Sequence, residues 1–479
     1  MSRNALSLAL LALAAVAVLD VTRVLPAGWS LPATGAFSFA SPAFADDDGG
    51  GDDGGGDDGG GDDGAGDDGG SGARDGTGEG MKRDRNRAGG KTRRAAPAAV
   101  APQLPVRASG EIVVSGLSDA DLATLVAEGF AVIEALSITR NGPVLHRLQR
   151  PAGVSMEAAR DSVRKRETGT NADFNHYFRT SEVIVPAAAP EVSPTTKAAP
   201  CDHLNCAVLN QIAWPLSRPP TCQATIEIGV IDTSLNLDHA GLADAQIDLI
   251  RLADEDLPVS GETHGTAVVA LLVGDEPRAP GLLPEARLVA VDIFSREGGD
   301  ERADVVHLVQ ALDLLAERKV RVVNLSLAGP ENSVLSDMLA AVEQAGVLVV
   351  AAAGNGGPAS PPAWPAAAGT VLAVTAVDGN DRIYRRAQRG VHVDVAAPGV
   401  EIWSAASTKG VKPRTGTSYA TPFVTAAAAI LISGNPLMTP AATIAHLRGL
   451  TRDLGAKGAD EVFGSGVLML SSLCGPTAP

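Results

Sequence analysis

The 479 residues are 45% hydrophobic, enough to bury a sizeable core in two or three domains. A formal charge of −17 looks informative, but eleven aspartates and no basic residue lie between Asp46 and Gly70, so most of the excess is local. The footprint of a general nucleic-acid binder is absent.

The chain begins MSRNALSLALLALAAVAVL, with Arg3 ahead of an apolar stretch of about 15 residues, shorter than the roughly 20 that span a bilayer. This predicts a signal peptide over residues 1–45, ending at the small-x-small sequence Ala43-Phe44-Ala45, and a secreted or periplasmic protein. An uncleaved N-terminal membrane anchor is the alternative, and no stable membrane span is expected later in the chain. Residues 46–107 hold a five-residue Gly/Asp repeat, a basic run and an Ala/Pro linker, none of which can form a core. The nine-residue unit of a calcium-binding β-helix is missing, so the tract reads as a solvated spacer.

Residues 108–185 recover apolar periodicity. GEIVVSGL reads as a strand, SDADLATLVAEGF as a capped helix, AVIEALSI and VLHRLQRP as strands, and SMEAARDSVRKRE as a second helix. The order is close to β-α-β-β-α-β, a small α+β split-βαβ domain. A second Pro/Ala linker with a cysteine-containing loop is expected over residues 186–223.

From residue 224 to 479 short apolar runs alternate with helical segments. TIEIGVID, ARLVAVDIF, VRVVNLSL, GVLVVAAAGN and VLAVTAV read as strands covered on both faces, with helices at HGTAVVALLVG, ADVVHLVQALDLLAERK and SVLSDMLAAVEQAG between them. The fold class is α/β, a doubly wound, mostly parallel sheet with helices on both faces. Four cysteines in an exported chain are compatible with disulfides and allow three pairings. The closeness of Cys201 and Cys206 suggests a local loop, which leaves Cys222 to tie to Cys474 across the last domain. The spacing matches no zinc pattern.

Ligands of open parallel sheets bind outside the carboxyl ends of the strands. Asp232 closes IEIGVID, Asn324 and Ser326 end VRVVNLSL, and Asn355 follows LVVAAAG. His264 opens a helix whose positive end favours a neutral imidazole, which suits a base awaiting a proton. Ser418, in GTSYATPFVTAAAA, stands at the mouth of an alanine-rich helix, where serine is equally at home as a cap.

Taken together and in order, GVIDTSLNLDHAGL, THGTAVVALLVG, NLSLAGP, AAAGNGG, AAPGVEIWSA and GTSYATP resemble the subtilisin-like serine peptidases. The resemblance covers roughly half the chain. It implies Ser418 as nucleophile, His264 as general base and acid, Asp232 as the group that orients His264, and Asn355 as an oxyanion-hole donor beside the Ser418 backbone N–H. It implies polypeptide substrates that pair with the edge formed by Ser326, Leu327, Ala328 and Gly329, with Ala353 and Gly354 lining the pocket for the residue before the cut. No Asp or Glu lies between Asn355 and Ala368, which predicts an apolar or aromatic residue there.

No cofactor is required by this chemistry; the family often binds structural calcium, for which no ligand loop is traceable in the sequence. Ser234, Ala267, Ala328 and Tyr419 replace residues usual in the family, and none of the four changes removes a reacting group. The module over 108–185 is similar in element order to the family's propeptide, which implies a precursor that inhibits itself and is cut between about residues 185 and 200; an accessory domain retained after export is the alternative. A catalytically inactive or partner-dedicated peptide-binding protein of the same fold is the alternative.

Overall fold

The structure is a computed structural model that describes residues 104–138, 142–180, 201–254 and 256–474. The expected signal peptide, the Gly/Asp tract, nearly all of the first linker and residues 181–200 of the second lie outside them.

The small module has the predicted order. β1 (Arg107–Ser115), α1 (Asp119–Ala127), β2 (Ala131–Ser137), β3 (Val144–Gln149), α2 (Met156–Arg164) and β4 (Asp173–Thr180) form an antiparallel sheet in the order β2-β3-β1-β4, with both helices on one face. Ser118 and Ser155 cap the helices by accepting from the N–H groups of Asp121 and Ala158 at 3.1 and 3.2 Å. Strand side chains alternate between faces. Ile112 and Val114 therefore pack on the module's own helices, with Leu125, Leu148 and Val163. Val113, Leu145 and Phe178 face the other way and join a core of the larger body that follows.

The body begins earlier than its sequence pattern indicates. α3 (Cys206–Gln211) lies within the stretch expected to be linker, and Val208, Leu209, Ile212, Trp214 and Cys222 are buried in the main core. Residues 201–223 are thus part of the body, because their apolar side chains have a core to enter. Both expected disulfides are present, Cys201–Cys206 and Cys222–Cys474.

β5 (Ile228–Asp232), β6 (Gln246–Arg251), α4 (Thr263–Val273) and β7 (Arg287–Asp292) open the main sheet. A hairpin of β8 (Ser295–Glu297) and β9 (Asp300–Asp304) leads into α5 (Val305–Glu317), β10 (Val322–Leu325), the two-residue β11 (Leu327–Ala328) and α6 (Ser333–Gln344). β12 (Leu348–Ala352), β13 (Val371–Val377) and β14 (Val395–Pro398) continue the sheet. After the hairpin of β15 (Ile402–Ala405) and β16 (Val411–Arg414) come α7 (Thr417–Gly434), α8 (Pro440–Gly449), β17 (Thr451–Arg452) and β18 (Val467–Leu468).

The nine strands run β17-β18-β14-β13-β12-β10-β5-β7-β6, and every pairing from β18 to β6 is parallel. One core layer, on the α4 and α7 side, holds Val268, Leu272, Phe423 and Val424. The layer on the opposite face holds Leu308, Leu312, Leu335 and Leu339 from α5 and α6. This is the doubly wound α/β architecture expected from the alternation. α7 is the one helix among the described residues long and apolar enough to cross a membrane, but 89% of that window is buried, which makes it the core helix of the sheet.

β4 belongs to two places at once. Its first half pairs with β1, and its second half pairs antiparallel with β9 (Tyr177 with Asp304, Phe178 with Ala303) and with β11 (Arg179 with Ala328, Thr180 with Leu327).

Candidate active site

Asp232 ends β5 and His264 is the second residue of α4, so sheet and helix bring them together from either side of one loop. His264 Nδ1 lies 2.7 Å from Asp232 Oδ1, and both side chains are 2% exposed. A carboxylate can only accept, so Nδ1 carries the proton and Nε2 is the acceptor of the neutral ring. Thr233 N–H donates to the same Oδ1 at 2.7 Å, which fixes the carboxylate's rotation. The approach of α4 depends on Gly265: a Cβ there would stand 2.5 Å from the Thr233 carbonyl oxygen. Its N–H instead donates to Thr233 Oγ1 at 2.9 Å.

A further support lies at the neighbouring strand end. Ser260 Oγ accepts from the Ser234 N–H at 2.8 Å and donates to Asp292 Oδ1 at 3.1 Å. Asp292 is held by Arg251 at 2.6 Å, while burial pushes its carboxyl pKa up.

Ser418 is the second residue of α7 and wholly buried. Pro422 lies four residues on and lacks the N–H that would bond the Ser418 carbonyl oxygen. Ser326 Oγ supplies that bond instead, at 3.0 Å. Asn324 Nδ2 donates to Ser326 Oγ at 3.0 Å, and Thr425 Oγ1 donates to Asn324 Oδ1 at 3.0 Å. The end of β10 is thereby tied to the first two turns of α7. Ser418 Oγ donates to the Ser326 carbonyl oxygen at 3.3 Å. The Tyr419 ring, fully buried, lies with its centroid 5.7 Å from that of His264.

Asn355 stands just beyond β12. Its Oδ1 accepts from the Thr417 N–H and from Thr417 Oγ1, both at 3.1 Å. With the oxygen accepting from two donors, Nδ2 is the donating end of the amide. The sequence reading missed Thr417, whose signal was its place next to Ser418, and Thr425, a hydroxyl inside an apolar helix that has to find a buried partner.

The six residues expected to hold substrate divide. Leu327 and Ala328 pair with β4, Gly329 exchanges backbone hydrogen bonds with Trp364 at 2.9 and 3.0 Å, and a Cβ on Gly329 would lie 2.4 Å from the Phe178 ring. Ser326 presents its carbonyl to Ser418. Ala328 and Gly329 line a cavity of about 540 Å³ that Asn355, Gly356, Ala363 and Arg386 also line. Ala353 is fully buried behind this wall, and Gln388 occupies the space above Gly354, where an added Cβ would stand 1.7 Å from its Oε1. Neither position lines the cavity as expected: Ala353 is buried, and Gln388 covers Gly354, its Nε2 held by the Pro361 carbonyl oxygen.

A second charged group lies where module and body meet. Asp304 caps α5, accepting from His307 N–H at 3.0 Å and lying 2.7 Å from His307 Nδ1. Asn175 of β4 bridges Glu111 and Asp304 at 2.8 and 3.0 Å. Burial would raise the Asp304 pKa, but the His307 hydrogen bonds and charge hold it well below the usual carboxylate range. Burial opposes protonation of His307, yet the Asp304 bond and charge leave its pKa raised. As for metals, the one group of three candidate ligands that converges among the described residues is Cys201, His203 and Cys206, and its two cysteines are joined to each other. The calcium expectation therefore gains no ligand set.

Comparison with known proteins agrees with this geometry. The model of the Subtilase family matches residues 223–466, roughly half the chain. Subtilisin BL of Lederbergia lenta is 33% identical over 211 residues, covering 43% of this chain and 76% of that protein. Minor extracellular protease Epr of Bacillus subtilis (strain 168) is 32% identical over 209 residues, which are 43% of this chain and 32% of Epr. The crystal structure of fervidolysin from Fervidobacterium pennivorans, described as a keratinolytic enzyme related to subtilisin, superposes with a TM-score of 0.65 at 20% identity, over 79% of this chain and 63% of that one. That last likeness is one of fold. This chain belongs to the subtilase family of serine-type endopeptidases.

Proposed function

We propose that the protein is an exported serine endopeptidase, made as a precursor, that cuts polypeptides through an acyl-enzyme. Ser418 attacks the scissile carbonyl, His264 takes its proton and passes it to the leaving amine, and Asp232 orients the imidazole and stabilises its charged form. Asn355 Nδ2 and the Ser418 N–H bind the oxyanion. The single observation that carries the reading is the buried 2.7 Å contact between Asp232 and His264, set between the end of β5 and the start of α4, with His264 beside Tyr419 in the first turn of α7. To act, the Ser418 hydroxyl must turn from the Ser326 carbonyl toward the imidazole.

The module is the first occupant of the substrate edge. β4 adds a strand between β9 and β11, as a peptide substrate would, and Phe178 fills the space that Gly329 leaves. Thr180, the last described residue of β4, is opposite Leu327, one residue short of Ser326, whose carbonyl meets Ser418. The cut that separates module from body would therefore fall one or two residues after Thr180, earlier than the sequence pattern indicates. Export rests on the N-terminal sequence, on two disulfides and on a relative named as extracellular.

A fluorophosphonate probe followed by peptide mapping tests the proposal. Matured protein is expected to carry the label on Ser418, and Ser418→Ala to remain uncut. An unlabelled Ser418 in properly matured protein would favour the inactive peptide-binding reading.

A further inference from the structure

The cavity beside Asn355 carries charge that an apolar specificity pocket has no use for. Its walls are small or apolar, at Ala328, Gly329, Pro361, Pro362 and Ala363, and no Asp or Glu lines it. Two arginines do, Arg179 and Arg386. Arg179 belongs to β4 and is neutralised by a two-pronged pair with Asp300, at 2.7 and 2.6 Å, so its charge is spent and leaves with the module.

Arg386 stays with the body. It is exposed, and its Nε donates to the Asn355 carbonyl oxygen at 3.4 Å. Among the described residues no carboxylate lies within ion-pair distance of it, whereas its neighbour Arg382 is paired with Asp378 at 2.8 Å. A guanidinium has five N–H donors in a fork that matches a carboxylate. Of the other polar side chains of the body here, Asn355 is anchored by Thr417, and Gln388 is pinned by Pro361 against Gly354 and acts as floor. The basic run Arg385, Arg386 and Arg389 adds to the positive potential.

We infer that Arg386 makes this cavity a receptor for a side-chain carboxylate, so that the peptidase selects Glu or Asp at a residue flanking the bond it cuts. The inference rests on the peptidase reading above and replaces the apolar preference expected from the sequence. Position supports it: Arg386 contacts the backbone of the residue whose side chain would hold the oxyanion, and Thr180, the last described residue of β4, lines the same cavity. In the sequence Thr180 is followed by Ser181-Glu182, an acid within two residues.

The test uses matured enzyme, quantified by phosphonate titration, on a peptide library varied on both sides of the cut. Enrichment of Glu or Asp at either flanking position is expected. On a matched pair of peptides differing only as Glu or Gln at that position, kcat/KM should favour Glu by about tenfold, the scale of one charge-assisted hydrogen bond. Arg386→Gln should bring the ratio to about one, Arg386→Glu should turn preference toward Lys or Arg, and Arg386→Lys should keep part of the selectivity. Label on Ser418 with Phe or Leu preferred and no acid enriched overturns this inference and leaves the peptidase reading intact. A Glu/Gln ratio unchanged by Arg386→Gln overturns it as well, and an unlabelled Ser418 overturns both.

Discussion

Asp232 Oδ1 lies 2.7 Å from His264 Nδ1 and accepts from the Thr233 N–H at the same distance. One carboxylate oxygen thus fixes both its own rotation and the tautomer of the ring. Asp232→Asn would present an N–H or a neutral oxygen in its place and favour the wrong tautomer. A fall in kcat of about 10⁴ is expected, with an unchanged fold by circular dichroism. A loss below about tenfold would remove Asp232 from the mechanism.

Asn355 is anchored through its oxygen by Thr417. Asn355→Ala should lower kcat by about 10² to 10³ with little change in KM, the magnitude known for the corresponding donor of subtilisin. Thr417→Val keeps the asparagine but frees it to rotate, and an intermediate loss is expected. Steady-state kinetics on titrated enzyme read both, and a pure KM effect in Asn355→Ala would argue for substrate binding instead.

The Ser418 carbonyl lost its helical partner to Pro422 and gained Ser326 Oγ. Ser326→Ala leaves a buried oxygen unsatisfied, which costs about 1 to 3 kcal/mol. The expected result is a lower urea midpoint together with a lower kcat, since the turn that carries the nucleophile loses its tether. An unchanged midpoint would show that water replaces the hydroxyl.

Acid should weaken the hold of the module. His176 lies between module and body: burial lowers its pKa, Asp173 raises it, Arg107 and Arg160 lower it further, and Asn332 Nδ2 donates to its Nδ1 at 3.0 Å. A depressed histidine pKa means that docking stability is complete above the ordinary value of about 6.5 and is lost as pH falls through the lowered one. After cleavage, release of the module should be faster at pH 5 than at pH 7.5, and His176→Asn should flatten this dependence. His307 does not oppose this, because the carboxylates that raise its pKa, Asp304 and Asp254, stay with the body when the module leaves. Faster release at the higher pH would remove His176 from the account.

The mass of the released module places the first cut. A C-terminus at residue 181 or 182 is expected from the pairing of Thr180 with Leu327. A first cut beyond residue 185 would mean that the strand slides before it is cleaved.

The parallel sheet was legible because its strands are covered on both faces and read as unbroken apolar runs. The same signal was present in the module and was read only in part: Ile112, Val113 and Val114 are consecutive buried residues, which requires a second cover beyond the module's own helices, and α5 and α6 provide it. Strand β6, Gln246–Arg251, alternates like any edge strand and was passed over. The β8–β9 hairpin is polar except for Ala303, and its signal is Gly298-Gly299, both at positive φ in the turn.

The pairing of β4 with β11 joins residues about 150 positions apart, and no local pattern encodes a partner at that distance. For the site, strand ends and helix starts located Asp232, His264, Asn355 and Ser418. Arg386 escaped notice because it lies in a loop whose sequence motif names no function and whose meaning comes from the cavity it enters.

A strand shared between module and body has a kinetic consequence. On the proposed function, a cut behind Thr180 would remove a covalent link but none of the contacts that β4 makes with β9 and β11, so the severed piece would begin as a product sitting in its own enzyme. Each molecule then waits for a rare spontaneous departure, while any molecule already free can digest the modules of the others. Activity in a population would rise after a delay that shortens as the protein concentration increases, and a trace of mature enzyme would abolish the delay.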